Sequence, residues 1–451
     1  MPAVFGIETE YGILAPQAPA LDPSALSAAV VDGWPGPGTR TILDVDDPLP
    51  IDDLHNRMLG NGARLYVDHG HPEYSGPEVT SAAAAVAYDL AGDRIVAEAA
   101  AAASVALGTP VRVFKNNTDS QGASYGCHEN YLVTRSTPWQ RVVAQFTGFL
   151  VSRTVVSGAG RVGIGQHGQR PGFQLSQRAD FFETTEGIET TRRRPVVNTR
   201  DEPHARPDRY RRLHVITGDA NRSAWSTWLK VGTAAAVLAA LEDGSLPEFR
   251  LADPVAAMHA VSHRPWEPLA LADGRRLTAL DLQSAYLEAA LAHAGRVGGD
   301  GAVLRAWQEV LDDLRADPGR CADRLDWAAK AALLSGFAER HGLPEDSPRL
   351  AQLDLAWAEL GHGSPFDALL RGGRFRPLPF SVDVAAAVAD PPADTRAWLR
   401  GRVVRERPDA VVATSWDWLV LRDPRGRRIR LDLSEPLDPG NPDAVLRSLG
   451  G

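Results

Sequence analysis

The chain has 451 residues, of which 44% are hydrophobic and 23% charged, the proportions of an ordinary globular protein. A single hydrophobic core stops growing at roughly 250–300 residues, so this length predicts one large domain and a smaller one. The formal net charge of −9 argues against nucleic acid as the partner, because a phosphate backbone recruits surplus Lys and Arg. With only two cysteines, a disulfide framework and a four-cysteine zinc site are excluded.

The N-terminal residues MPAVFGIETEYG lack the basic start and apolar core of a signal peptide. No apolar run in the sequence predicts a membrane-spanning helix. Together with the low cysteine content, this leads us to expect a cytoplasmic protein with no membrane partner.

The first elements alternate between strands, one long loop and one long helix. Residues 3–14 are predicted as a strand. Residues 17–60 are rich in Pro, Gly and Asp, which favours a mobile loop with one short helix at 23–32. The segment RLYVD at 64–68 predicts a short strand. Residues 80–107 are rich in alanine with apolar residues at helical spacing, which predicts a long helix lying on a sheet.

The middle of the chain continues this mixed pattern. Strands are predicted at 110–116 and 130–134, separated by a glycine-rich, polar connection. Residues 139–157 are predicted as a helix and residues 158–175 as a glycine-rich loop. The segment LHVITG at 213–218 has the composition of a strand.

Helical spacing dominates the following stretch, over 225–241, 277–294, 302–315, 321–341 and 348–360. The pattern changes again near residue 380. A helix is then predicted over 395–407 and a hairpin over 415–433, where a Pro-Arg-Gly turn separates two apolar runs. We therefore expect a catalytic domain over 1–380, with its mobile loop near 33–60, and a small C-terminal domain over 381–451.

Two carboxylates lie close together on the first predicted strand. Glu8 and Glu10 are two residues apart, so their side chains point to the same face. Burying two neighbouring carboxylates is costly unless cations compensate, and hard oxygen ligands suit magnesium. The alternative is a solvated strand face.

The strand at 64–68 repeats this geometry. Arg64, Tyr66 and Asp68 share one face, and Glu73 follows shortly after. If this strand lies beside the first, one sheet face collects enough carboxylates for two magnesium ions, a triphosphate and a reactive carboxylate. An amphipathic edge strand remains the alternative.

Histidine and arginine residues supply further candidates. His128 and His214 lie on predicted strands, and a neutral imidazole can complete a metal shell, although a lone histidine is often only a core or surface residue. Residues 192–216 contain eight arginines. Arg200, Arg211 and Arg212 are therefore candidates for bidentate contacts to a nucleotide phosphate or an acidic peptide. A solvated, charge-balanced loop is the alternative.

The sequence does not support a dinucleotide-binding site, a P-loop or the nucleophile elbow of an α/β-hydrolase. The segment GIGQHG at 163–168 matches the dinucleotide pattern, but Pro171 and Gly172 oppose the helix that must follow it. The sequence contains neither a Walker A motif nor a G-x-S-x-G elbow.

Several segments in order resemble the Pup ligase and Pup deamidase family, where Pup is the prokaryotic ubiquitin-like protein. These segments are GIETEYG, NGARLYVDHGHPEYSGPE, KNNTDSQGASYGCHENYL, GFQLSQRADF, NTRDEPHA, YRRLHVITGDAN, AQLDLAW, TRAWLRG and SWDW. The resemblance covers nearly the whole chain. It implies an α+β fold of the carboxylate-amine ligase, glutamine synthetase-like class: a curved antiparallel sheet packed with helices and holding Mg-ATP, plus a small C-terminal domain.

The resemblance also implies roles for particular residues. Glu8, Tyr66 and Glu73 match the family's magnesium ligands, Arg64 matches an ATP contact and Asp68 matches the catalytic aspartate. Trp416 matches the tail tryptophan near the nucleotide, with Trp418 two residues away on the same predicted face. Analogy with the related ligases assigns Glu10, His128 and His214 to metal. One position departs from the ligase pattern, since Gly76 replaces a threonine that contacts ATP.

Within the family, the chain resembles the deamidase branch. The segments VDHGHPEYSGPE and GRVGIGQHGQRPGFQLSQR carry this similarity, as does an insertion before NGARLY that is shorter than in other deamidases. This branch converts the C-terminal glutamine of Pup to glutamate and cuts Pup from lysines of pupylated proteins, with a functional link to the bacterial proteasome. ATP and Mg²⁺ are then expected as cofactors that are not consumed.

Three questions stay open at this point. Asp68 acts either as a nucleophile or as a general base. The first rival function is a Pup–protein ligase that consumes ATP at the same site. The second rival is a catalytically silent protein that binds Pup or the proteasome.

Overall fold

A computed structural model describes residues 3–40, 55–119, 121–165, 168–297, 299–361 and 363–450. The chain forms two compact units. Unit 1 comprises residues 1–114, 202–212 and 382–451, and unit 2 comprises residues 115–201 and 213–381.

The strands, β1 to β18 in chain order, are Phe5–Glu10, Gly12–Leu14, Gly38–Arg40, Asn56–Leu59, Arg64–Asp68, His71–Ser75, Arg112–Phe114, Cys127–Thr134, Arg161–Gly163, Gly172–Gln174, Phe182–Gly187, Arg194–Asn198, Tyr210–Val215, Leu269–Ala270, Arg276–Leu277, Val411–Thr414, Trp418–Arg422 and Arg428–Asp432. The α-helices, α1 to α14, are Pro23–Gly33, Ala82–Leu107, Trp139–Ser152, Thr154–Ser157, Ala224–Glu242, Pro254–His263, Ala279–Val297, Gly301–Ala316, Asp326–His341, Pro348–Ala358, Pro365–Arg371, Val384–Ala389, Ala397–Glu406 and Pro442–Ser448. Short 3₁₀ helices span Ala179–Phe181, Pro318–Asp323 and Pro408–Ala410.

Antiparallel strands in the order β1-β6-β5-β4-β3 form the sheet of unit 1. Its inner face carries apolar side chains such as Ile7, Leu65 and Val67, all of which are buried. Helices α1 and α2 pack against this face. The alternation of polar and apolar residues along β5 therefore leaves the opposite face of the sheet to the polar side chains.

Local signals define the ends of α2. The Ser81 hydroxyl accepts a hydrogen bond from the Ala84 N–H at its N-terminus, and Gly108 ends the helix in a left-handed conformation at φ 65°. Within the helix, a Cβ added to Gly92 would lie 2.3 Å from the Tyr74 ring. Only glycine at this position allows the helix to approach β6 so closely.

The C-terminal part of unit 1 has its own antiparallel sheet, β16-β17-β18. Its core cluster comprises Leu399, Val403, Ala410, Leu419, Leu421, Leu433, Leu446 and Leu449. The compact unit that contains this sheet also contains residues 1–114. The division of the chain into a catalytic domain over 1–380 and a small domain over 381–451 stays a prediction.

Long helices dominate unit 2. Helix α5, Ala224–Glu242, reaches the length and hydropathy of a membrane-spanning helix, contrary to the expectation that no such run exists, but 78% of its most apolar window is buried. It is a core helix. Nearby, Arg153 donates hydrogen bonds of 2.8 and 2.6 Å to the buried Glu129 carboxylate, which compensates the charge of both groups.

Several predicted elements differ in detail. The segment predicted as a loop near 33–60 contains β3 and β4, which pair antiparallel, while residues 41–54 lie outside the described part of the chain. The predicted strand over 3–14 is interrupted at Tyr11. The helix predicted over 139–157 is divided at Arg153 into α3 and α4. The predicted loop over 158–175 contains the paired strands β9 and β10.

Candidate active site

The polar face of the unit 1 sheet is organised in rows, because neighbouring antiparallel strands place residues opposite one another. Strand β6 lies between β1 and β5, so these two strands are not direct neighbours. The first row is Glu8, Ser75 and Arg64, the second is Glu10, Glu73 and Tyr66, and the third pairs His71 with Asp68. The side chains predicted to share a face therefore do so, with Glu73 between Glu10 and Tyr66.

A cluster of three carboxylates lies on this face. Oxygen atoms of Glu10, Asp68 and Glu73 lie within 4.8 Å of one another. Glu73 is only 2% exposed, and its carboxylate accepts hydrogen bonds from the Tyr66 hydroxyl and, at 3.1 Å, from the Ser75 hydroxyl. Burial, together with the charges of Glu8, Asp68 and Glu10, raises the pKa of Glu73 well above its ordinary value. The cluster therefore carries an excess of negative charge that a cation would relieve.

Tyr66 stands beside this cluster as a neutral phenol. Burial, and after it the negative charge of Glu73, raises the pKa of Tyr66 well above its ordinary value. Its hydroxyl therefore stays protonated and donates to Glu73. The phenol oxygen keeps lone pairs that suit a hard cation.

Asp68 occupies the open end of the cluster. Its side chain is 35% exposed, in contrast with the buried Glu73. The Oδ2 atom of Asp68 lies 2.9 Å from Nδ1 of His69, and His69 has a left-handed backbone with φ 46°. Water or a substrate can therefore reach this carboxylate while one of its oxygens is held in place.

Arg64 and Trp416 lie together in the same unit. The guanidinium carbon of Arg64 lies 5.6 Å from the Trp416 ring and 5.5 Å from the Tyr66 ring. Burial lowers the pKa of Arg64. Trp418 instead stacks with Arg430 at 4.9 Å and forms part of β17, whereas Trp416 precedes that strand. The structure thus separates two tryptophans that the sequence placed on one face.

A second arginine reaches the carboxylate face. Nη1 of Arg212 lies 3.9 Å from Oε1 of Glu8, and Nη2 lies 3.7 Å from Glu202. Burial, and after it the charge of Arg212, lowers the pKa of His204. Arg212 therefore brings a positive charge to the edge of the carboxylate face, between Glu8 and Glu202.

Three other predicted site residues belong to unit 2. His128 and His214 are buried, with their ring centroids 4.9 Å apart in an edge-to-face arrangement. Arg200 follows β12, and its backbone N–H donates to the Asn198 side chain at 2.8 Å. Their assignment to metal or nucleotide stays a prediction.

Unit 1 also contains a buried ion network that was not predicted from the sequence. Glu78 forms ion pairs with Arg396 at 2.6 Å and Arg400 at 2.5 Å. The sequence did contain an indication of this network. Arg396 and Arg400 are four residues apart in TRAWLRG, so they share a helix face and can pair with one carboxylate. Arg400 also lies against the Trp416 ring, at 4.9 Å.

Comparisons with known proteins show the family to which this chain belongs. The sequence profile of the family described as Pup-ligase protein matches residues 3–420. The chain is 45% identical to a depupylase from Acidothermus cellulolyticus over 97% of this chain and 94% of the relative. It is 43% identical to a Pup deamidase/depupylase from Mycolicibacterium smegmatis over 97% and 95%. A Pup–protein ligase from Acidimicrobium ferrooxidans is 39% identical over 99% and 98%.

Two solved structures have the same fold. A Pup ligase in complex with Pup superposes with a TM-score of 0.84 and 31% identity, covering 100% of this chain and 92% of that one. A Pup ligase in complex with ADP superposes with a TM-score of 0.80 and 34% identity, covering 88% and 90%. The predicted α+β fold with its antiparallel sheet is confirmed by these two structures. Its place in the carboxylate-amine ligase, glutamine synthetase-like class stays a prediction. The chain belongs to the Pup ligase family.

Proposed function

We propose that the chain is a Pup deamidase and depupylase. It hydrolyses the C-terminal glutamine of Pup to glutamate and cleaves the isopeptide bond between Pup and a lysine of a pupylated protein. The observation that carries this proposal is the pattern of identities, since the relatives named for depupylation match at 45% and 43% and the ligase at 39%. The proposed cofactors are Mg²⁺ and ATP.

The residues of unit 1 fit these cofactors. Burial, and after it the neighbouring carboxylates, raises the pKa of Glu73, and an oxygen-rich site with excess negative charge suits Mg²⁺. We assign the metal to Glu8, Glu10, Tyr66 and Glu73. His128 and His214, which belong to unit 2, are also proposed as metal ligands.

Arg64, Arg212 and Trp416 would hold the nucleotide, and Arg200 is a further candidate. Arginine offers bidentate contacts to phosphate oxygens, and the indole of Trp416 offers an aromatic surface for a base. A related ligase in complex with ADP supports nucleotide binding. When bound, the magnesium nucleotide supplies positive charge that polarises the scissile amide carbonyl.

Asp68 is the proposed catalytic residue, since it is the exposed member of the carboxylate cluster. As a general base, its carboxylate removes a proton from water. The resulting hydroxide attacks the amide carbon, and the departing ammonia or lysine amine takes the proton. As a nucleophile, the carboxylate attacks the carbon itself, the C–N bond breaks, and the departing ammonia or lysine amine takes a proton from water. The hydroxide that remains then hydrolyses the acyl-aspartate anhydride and releases the Asp68 carboxylate. Both routes leave Asp68 unchanged and need no phosphoryl transfer.

The test uses purified protein, Pup ending in glutamine, and a Pup–lysine conjugate, with Mg-ATP. We expect Pup ending in glutamate, release of Pup from the conjugate, and far less than one ADP for each product. Asp68→Asn should bind Mg-ATP and lose most turnover, because an amide is neither a base nor a comparable nucleophile. Asp119→Asn serves as a matched control, since Asp119 caps an exposed turn.

The ligase is the second candidate function, favoured by the 39% identity to a Pup–protein ligase. Conjugation of Pup ending in glutamate, with one ADP for each product, would establish the ligase instead. Full turnover by Asp68→Asn would refute the proposed mechanism in either case.

The proposed location is the cytoplasm, and the proposed partners are Pup and pupylated proteins, with a functional link to the bacterial proteasome. Cys127 and Cys321 are both buried free thiols, which fits a reducing compartment. The related ligase in complex with Pup supports Pup as the partner.

A further inference from the structure

The carboxylate of Glu78 lies at the centre of an ion network in unit 1. Its side chain is 14% exposed and pairs with two arginines, Arg396 and Arg400, which are 4% and 0% exposed. Burial alone would raise the pKa of Glu78, but the guanidinium groups of Arg400 and Arg396 outweigh it and lower this pKa to about 2. Glu78 is therefore ionised at every working pH.

Arg400 uses its remaining donors to join two separate segments. Nη2 donates to the Gly62 carbonyl at 2.9 Å, and Nη1 donates to the Trp416 carbonyl at 2.9 Å. Gly62 lies two residues before Arg64 and has a left-handed backbone at φ 82°. One side chain thus fixes the turn that leads into Arg64 and the segment that carries Trp416.

Arg400 also lies on the indole ring that Arg64 contacts. The guanidinium carbons of Arg400 and Arg64 are 4.9 Å and 5.6 Å from the Trp416 ring. Two like charges on one aromatic ring repel, and Arg400 contributes to the lowered pKa of Arg64. The negative charge of Glu78 compensates Arg400, which allows both cations to lie near one indole.

We propose that Glu78 is a positioning residue for nucleotide binding, because it holds Arg400 where that arginine fixes both Arg64 and Trp416. Glu78 itself touches neither of these two side chains among the contacts described above. The inference rests on the proposed function, in that Arg64 and Trp416 bind ATP.

Arg396 provides a matched control within the same network. It pairs with Glu78 as Arg400 does, but its other donors go to the carbonyls of His204 and Leu433. A lysine at either position keeps the positive charge and loses the planar fork that serves two acceptors at once. Arg400 donates to both carboxylate oxygens of Glu78, whereas Arg396 donates to one. Arg396→Lys therefore leaves the Glu78–Arg400 pair and the link between Gly62 and Trp416 in place, and Arg400→Lys disturbs both.

The experiment measures the dissociation constant for Mg-ATP by calorimetry, and the KM for ATP, in the full-length wild type, Arg400→Lys, Arg396→Lys and Glu78→Gln. We expect Arg400→Lys and Glu78→Gln to weaken ATP binding by about tenfold or more, the loss that follows from one charge-assisted hydrogen bond. Their kcat at saturating ATP should stay within about twofold of the wild type, because only binding is affected. Arg396→Lys should bind ATP within about threefold of the wild type.

Equal ATP affinity in the wild type and Arg400→Lys would overturn the inference, and so would an equal loss in Arg396→Lys and Arg400→Lys. If Glu78→Gln does not fold, the charge-preserving Arg400→Lys decides the question. Wild-type protein that fails to bind ATP would overturn the proposed function and this inference with it. Normal wild-type binding with unchanged affinity in Arg400→Lys would refute the inference alone.

Discussion

Replacing Glu73 with glutamine should stabilise the metal-free protein, although the residue is buried and hydrogen-bonded. Oxygen atoms of Glu10, Asp68 and Glu73 lie within 4.8 Å of one another. Two unit charges at that distance repel by about 3.5 kcal/mol at an effective dielectric constant of about 20. Glutamine has the same shape and keeps an oxygen that accepts from Tyr66 and Ser75.

The net stabilisation by Glu73→Gln is smaller than the energy of two such repulsions. The side chain of Asp68 is 35% exposed, so water screens its part of the repulsion, and partial protonation of Glu73 relieves some of the rest. We therefore expect Glu73→Gln to raise the free energy of unfolding by about 1–3 kcal/mol in the absence of metal.

The stabilisation by Glu73→Gln should increase as pH rises. The pKa of Glu73 is raised in the folded protein, first by burial and then by Glu8, Asp68 and Glu10. A raised folded pKa means that the wild type loses stability as pH rises from the unfolded pKa through the folded one. Glu73→Gln lacks this loss, so the difference between variant and wild type should grow with pH.

The assay is urea unfolding with a chelator, at about pH 5.5 and about pH 8, on either side of neutrality. Glu98→Gln is the control, because Glu98 forms an exposed pair with Arg94 worth less than about 0.5 kcal/mol. Added magnesium should stabilise the wild type more than Glu73→Gln. The reasoning would be refuted if Glu73→Gln were less stable than the wild type at both pH values. It would also be refuted if the difference in the free energy of unfolding between the two proteins shrank as pH rises.

Two further predictions concern the nucleotide and the core of unit 2. Trp416→Ala should weaken ATP binding by about tenfold in calorimetric titration, while Trp418→Ala, which does not contact Arg64 in the described contacts, should change it little. In unit 2, Glu129→Gln should lower the free energy of unfolding by about 3 kcal/mol in urea titration, because it leaves the buried Arg153 without its counter-charge. The charge of Arg153 outweighs burial and lowers the pKa of Glu129, so this contribution should fade as the wild type is acidified. A loss below about 1 kcal/mol would show that Arg153 finds another partner.

Local periodicity was enough to predict which side chains share a strand face. Leu65 and Val67 are buried while Arg64, Tyr66 and Asp68 point to the other side, as the period of two requires. Glu8 and Glu10 follow the same rule on β1. The helices over 82–107 and 224–242 were also predictable, because long apolar repeats identify helices well.

Pairing between strands could not be predicted in the same way. The sequence left open whether the strand of Asp68 lies beside that of Glu10, and in the structure β6 separates them. The position of Glu73 in the centre of the carboxylate cluster follows from this register. Register is a non-local property that depends on turn geometry and on burial of the opposite face, so no spacing within β5 encodes it.

Contacts between distant segments were missed for the same reason. Glu78 and Arg400 are 322 residues apart in the chain, and neither residue type nor local pattern connects them. The distinction between Trp416 and Trp418 likewise depends on where β17 begins, and element boundaries are the least certain part of any sequence-based prediction.

The charges on the polar face of unit 1 explain how one arrangement can serve either ligation or hydrolysis. A magnesium nucleotide needs carboxylates for its metal and arginines for its phosphates, and this face offers both, in Glu73 and Arg64. Binding of this kind does not by itself require phosphoryl transfer. Asp68 lies at the open end of the cluster, and in the proposed mechanism the identity of the group that arrives there would decide the reaction. A lysine amine arriving beside activated Pup gives ligation, whereas water arriving beside a Pup amide gives hydrolysis. We therefore expect the branch of the family to depend on access to Asp68 rather than on the residues that hold the nucleotide.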